Sequence, residues 1–151
     1  MKRKIYKQLL DWKEKRNGEV ALLIEGARRI GKSYIVEEFG KNEYESYIII
    51  DFNKAPQMVR DWFDLYLEDL DMLFLYLSQH YKVRLHERKS LIILDEVQLC
   101  PRARAAIKFL VKDGRYDYIE TGSLVSIKKN TQGIVLPSEE RPIQMYPMDF
   151  E

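Results

Sequence analysis

The chain has 151 residues, of which 46% are hydrophobic and 32% charged, an ordinary globular composition and enough for one domain that buries roughly two-thirds of its unfolded surface. The net charge of +1 provides no global field for nucleic acid or a membrane, so any such partner must be met by a local patch. A single cysteine, Cys100, excludes a disulfide framework, and no apolar run approaches the roughly 18 residues of a membrane span, so a cytoplasmic protein with no membrane partner is expected.

In chain order, Ile5, Leu9 and Trp12 recur at helical spacing and predict a helix over about residues 4–17, stopped at Asn17-Gly18. Lys2, Arg3, Lys4, Lys7, Lys13, Lys15 and Arg16 make it basic; this basic face reads as solvated, with nucleic acid as its alternative partner. Val20 to Ile24 is a short apolar run ending at a glycine loop, and Lys32 to Phe39 is helical again, closed by Gly40. "SYIIIDF" (46–52) is β-branched and continuous, as in a strand covered on both faces. Pro56 opens a long helical region striped by Val59, Trp62, Phe63, Tyr66, Leu70, Leu73 and Leu77, with a break near Asp71. Its acids, Asp61, Asp64, Glu68, Asp69 and Asp71, read as a solvated face.

"SLIILDEV" (90–97) is a second buried strand, Pro101 to Lys112 a helix stopping at Asp113-Gly114, and "YDYIETGS" (116–123) a further strand. A short polar-faced helix and a loop then lead to "RPIQMYPM", an edge strand, because Pro142 and Pro147 fit only at edges or ends. Strands alternating with helices predict an α/β domain over residues 1–151, with a mostly parallel sheet covered on both faces. The chain stops at "MDFE", directly after the last strand signal, which reads as a cut in a longer protein.

The glycine loop carries the chemistry. Gly26-Ala27-Arg28-Arg29-Ile30-Gly31-Lys32-Ser33, followed by Tyr34, fits G-x-x-x-x-G-K-[ST]. Such a match arises by chance in on the order of half a per cent of chains this size, and it stands where it should, after a buried strand and before a helix. Gly26 and Gly31 let the backbone wrap so that successive N–H groups point inward at phosphate. The helix that begins there adds its positive N-terminal end. Lys32 supplies a compact charge for the β- and γ-phosphates, and the Ser33 hydroxyl a ligand for Mg²⁺. Arg28 and Arg29 have three readings: phosphate contacts, contacts to a neighbouring subunit, or a solvated loop tip.

A cradle binds a nucleotide without hydrolysing it. "LIILDEVQ" drives four apolar residues, Leu91 to Leu94, through the core and delivers Asp95 and Glu96 at the strand end, where ligands bind in open α/β sheets. Asp95 is placed to hold Mg²⁺ and Glu96 to orient and deprotonate a water. Thr121 and Ser123, at the end of "YIETGS", are candidates to touch the γ-phosphate or that water. His80, His86 and Cys100 lack neighbours at metal-binding or nucleophile spacing.

"GARRIGKS", "LIILDEVQLCP" and "YIETGS", in this order and spacing, resemble the AAA-type P-loop ATPases, in particular the prokaryotic AAA-domain ATP-binding proteins. The resemblance implies a three-layer P-loop sandwich around a five-stranded, mostly parallel sheet of order 5-1-4-3-2, with the Thr121 strand between the cradle strand and the Glu96 strand. It implies an ATPase using ATP and Mg²⁺, with Lys32 and Ser33 in the Walker A role, Asp95 and Glu96 in Walker B, and Ser123 or Thr121 as the sensor. Gln98 stands where the family often shows Asp-Glu-x-Gln and would position Glu96 or couple it to a partner. The family's usual Gly-Arg is replaced by "SEERP", which leaves Arg141 as the nearest arginine-finger candidate. Homo-oligomerisation is expected through a C-terminal region beyond Glu151. The alternatives are a nucleotide-gated binding module with negligible turnover and a small-molecule P-loop kinase, the latter disfavoured because Glu96 suits water activation.

Overall fold

Strands form where short apolar runs must cross a core: Ala21–Gly26 (β1), Ser46–Asp51 (β2), Ser90–Asp95 (β3) and Asp117–Gly122 (β4), the last also carrying the buried Asp117, Glu120 and Thr121. The computed structural model describes residues 2–16, 18–26, 32–122 and 140–145. Glu140–Met145 forms a fifth strand (β5), and the sheet order is β2-β3-β4-β1-β5. Every paired neighbour is parallel, so each connection returns over a face of the sheet and all strands point their carboxyl ends the same way.

The covering helices are Lys2–Arg16 (α1), Lys32–Glu43 (α2), Gln57–Leu65 (α3), Leu70–Tyr81 (α4) and Pro101–Asp113 (α5). Strand β3 shows how the two cores divide: Leu91 and Ile93 pack with Leu9, Trp12, Val36 and Phe39 of α1 and α2. Ile92 and Leu94 face the other way, onto Val59, Phe63, Leu77 and Ile107 of α3, α4 and α5. The result is an α/β architecture with helices on both faces of a parallel sheet.

One expectation changes. Gly40 does not end α2, which runs on to Glu43. A Cβ at Gly40 would lie 3.1 Å from Tyr47 Cβ and Cγ and 3.3 Å from Leu91 Cδ2, so the glycine serves close packing of helix on sheet rather than termination. The long helical region is two helices, interrupted at 66–69, where the Asp69 side chain caps α4 by accepting from the Met72 amide. The break falls just before Asp71, as expected, and Asp69, exposed like Asp64, Glu68 and Asp71, also satisfies one of the helix's four orphan N–H groups. Asp61 and Asp71 also have partners, Arg102 at 3.4 Å and Arg115 at 2.7 Å.

Helix α5 follows the sequence signals, with Pro101 at its first position and Gly114 at φ 81° beyond its end. The polar-faced helix expected between 123 and 140 lies outside the described residues, as does Asn17. Among the described residues no helix is long and apolar enough to cross a membrane.

Candidate nucleotide site at the carboxyl end of the sheet

Strand β1 ends at Gly26 and α2 starts at Lys32, so the glycine-rich segment joins a strand's carboxyl end to a helix's amino end. Two strands away in the same parallel sheet, β3 ends at Asp95. Strand β4, which carries Thr121, runs between them. The order of the strands thus gathers the three motif segments at one edge of the sheet.

Asp95 is the hub. Its Oδ1 accepts a hydrogen bond from Ser33 Oγ at 2.7 Å and another from Thr121 Oγ1 at 2.5 Å. The Thr121 hydroxyl in turn accepts from the Glu96 amide at 3.1 Å. Asp95, Glu96 and Thr121 are 8%, 6% and 0% exposed. In such surroundings a polar group left without a partner would cost about 1–3 kcal/mol, so the Thr121 hydroxyl must be paired. One hydroxyl holds the carboxylate of Asp95 and the main chain of Glu96 at once.

Glu96 itself has left-handed backbone, φ 55° and ψ 52°. For a non-glycine residue that conformation costs on the order of 1–3 kcal/mol and persists only where the surroundings over-determine it. Here three bonds do so. The amide is held by Thr121, the Glu96 carbonyl accepts from the Leu99 amide at 3.0 Å, and Gln98 Nε2 donates to Glu96 Oε1 at 2.8 Å. Gln98 lies on the short 3-10 turn Val97–Leu99 and is buried. The neighbouring strand adds a fourth tie, from the Phe52 amide to the Asp95 carbonyl at 3.0 Å.

A family model described as AAA domain matches residues 19–151. The chain belongs to the AAA domain family. This is a family of nucleotide-binding ATPase domains, the reading its three motifs implied. Among solved structures, PCH-2 of C. elegans is similar over 95% of this chain and 42% of that chain, at 11% identity and a TM-score of 0.49. The chain therefore spans about two-fifths of the length of that protein. No curated protein matches it.

In this AAA domain the structure brings Ser33, Asp95, Glu96, Gln98 and Thr121 together. Lys32 begins α2, and Tyr34, one residue past Ser33, is 57% exposed. Ala27, Arg28, Arg29, Ile30, Gly31 and Ser123 lie outside the described residues. Arg141 is placed by backbone register alone: it pairs with Leu22, whereas Met145 pairs with Gly26. At about 3.3 Å per residue, its Cα sits roughly 13 Å short of the carboxyl edge of the sheet. Among the described residues no cluster of three or more His, Cys, Asp or Glu forms a metal centre. Cys100 is buried, and burial pushes its thiol up from its ordinary value, which suits an inert side chain.

Two features of the AAA domain escaped sequence reasoning. Arg104 and Glu120 form a buried ion pair, Nη1 to Oε1 at 3.0 Å, between α5 and β4. Its signal was there to find: Arg104 falls in the buried stripe of Ala103, Ile107 and Leu110, and Glu120 in a strand buried at every position. Arg60 of α3 is the other, and nothing in its sequence neighbourhood marks it.

Proposed function

We propose that this domain binds Mg-ATP between the 26–33 segment and Asp95–Glu96 and hydrolyses it to ADP and phosphate. The observation that carries the reading is the 2.7 Å bond between Ser33 and Asp95, 62 residues apart in sequence. It sets a hydroxyl and a carboxylate oxygen side by side at the first turn of α2, directly after the glycine-rich segment in sequence. That pair fits Mg²⁺, which takes hard oxygen ligands and keeps most of its positions for water and phosphate. When bound there, the ion would offset charge on the β- and γ-phosphates.

The chain's own residues do the rest. The N–H groups of residues 26–33 and the Lys32 ammonium bind the phosphate oxygens. Glu96 takes a proton from a water whose oxygen attacks the γ-phosphorus in line; the bond from that phosphorus to the β–γ bridging oxygen breaks, and ADP departs. Gln98 fixes one oxygen of the Glu96 carboxylate, so the other faces of that group are presented in a set orientation. Thr121 acts through its two bonds as the pin of the Asp95–Glu96 turn, and Ser123 is the sensor candidate that would meet the γ-phosphate. Arg28 and Arg29 would contact the phosphates, a neighbouring subunit or solvent. Arg141, set back along β5 from the carboxyl edge, would serve as a finger toward a neighbouring copy's site rather than its own.

The test is phosphate release from ATP with no acceptor added. Equal amounts of ADP and phosphate appearing over time support a hydrolase. Tight ATP binding with no release would put a nucleotide-gated binding module in its place, and release only with an added small-molecule acceptor would indicate a kinase.

A further inference from the structure

Arg60 lies on α3, on the sheet face opposite α2, the helix that follows the glycine-rich segment, and its guanidinium reaches both turns that flank the carboxyl end of β3. Nη2 donates to the Phe52 carbonyl, Nε to the Ala55 carbonyl at 3.2 Å and Nη1 to the Leu99 carbonyl at 2.9 Å. Phe52 and Ala55 belong to the turn after β2; Leu99 ends the 3-10 turn that begins at Glu96. Strands β2 and β3 are adjacent and in register, Asp51 opposite Asp95, so one planar side chain staples two neighbouring turns. The guanidinium also sits over the Phe52 ring, 5.8 Å from its centre.

The link to Glu96 is short. The Leu99 carbonyl is bonded to Arg60, and the Leu99 amide to the Glu96 carbonyl. Glu96 holds a left-handed backbone that a non-glycine residue leaves when its surroundings loosen. Thr121 and Gln98 constrain that turn from inside the site; Arg60 constrains its far end from outside. A rigid fork with several donors can span three carbonyls on two turns, whereas a lysine ammonium on its flexible stem cannot hold the same set.

We propose that Arg60 is a positioning residue for Glu96, acting through the Leu99 peptide. The inference rests on the reading of Glu96 as the base. Displacement of a reacting group by an ångström costs on the order of 100-fold in rate, so Arg60→Lys should lower turnover roughly 10- to 100-fold. ATP affinity should stay within about twofold, since the partners of Arg60 are main-chain carbonyls in the turns after β2 and β3.

The experiment measures turnover and ATP affinity for Arg60→Lys, Glu96→Gln and the double variant, with amide hydrogen exchange on the parent and Arg60→Lys. The expected result is slower turnover at unchanged affinity, no further loss in the double variant, and faster exchange confined to residues 97–100 and 52–55. Parent-like turnover in Arg60→Lys would overturn the proposal. So would an additional loss in the double variant, which would mean that Arg60 acts independently of Glu96. Faster exchange across the core strands would assign Arg60 to general fold support and overturn it as well. If Glu96→Gln itself turns over ATP at the parent rate, the base assignment fails and takes this inference with it. If Glu96→Gln is slow and Arg60→Lys is not, the inference alone fails.

Discussion

Glu96→Gln should bind Mg-ATP as the parent does and hydrolyse it at least about a hundredfold more slowly. The substitution is nearly isosteric, and the amide oxygen of a glutamine can still accept the 2.8 Å bond that Gln98 Nε2 now donates to Glu96 Oε1. The Glu96 amide keeps its bond to Thr121, so the left-handed turn is retained. What is lost is basicity: a neutral amide can orient a water but cannot accept its proton. Phosphate release and nucleotide titration, run on both proteins, separate the two properties. Parent-like turnover in the variant would mean that another group takes the proton.

Lys32→Ala should reduce ATP affinity by roughly two orders of magnitude or more, the scale expected when a charge-assisted bond to a highly charged phosphate is removed from a partly desolvated site. The N–H groups of the glycine-rich segment carry only partial charges and cannot balance three or four negative charges alone. Lys32 opens α2, and the nearest buried side chains of that helix, Ile35, Val36 and Phe39, anchor it independently of the lysine. The variant should therefore fold and melt like the parent while failing to bind. Unchanged affinity in an equilibrium titration, with the melting temperature preserved, would remove the phosphate-cradle assignment.

The sheet was readable because two of its inner strands are built on short apolar runs, Ala21 to Ile24 and Leu91 to Leu94, each ended by a residue that breaks the pattern. Leu91 to Leu94 must cross a core, and Asp95 must then lie at its rim. The glycine-rich segment could be placed for the same reason, between an apolar run and a helix. Local cues misled where one residue type serves two physical purposes. Gly40 looks like a helix stop, but its missing Cβ makes room for Tyr47 and Leu91 within a continuing helix. Asp69 stands on a wet face with the other acids, and its second role, as the cap of α4, has no separate mark in the composition.

The ties that organise the site were the least legible part. Thr121 could be named as a strand-end hydroxyl, but nothing local indicates that it bridges Asp95 and the Glu96 amide, 26 and 25 residues away. The same holds for Arg60, whose partners are main-chain carbonyls and so leave no complementary residue type to look for. Side-chain identity reports what a group can do; which backbone atoms lie within its reach is decided by the strand order.

The most direct test of the account is to titrate Mg-ATP into the ¹⁵N-labelled chain and follow its backbone amide resonances. The predicted result is a set of perturbed amides confined to residues 26–34, 95–98 and 121–123, shifting together with a single affinity, and absent in Lys32→Ala. Perturbations centred elsewhere, for example along the open edge of β2, or none at saturating nucleotide, would contradict the central claim that these three segments form one nucleotide site.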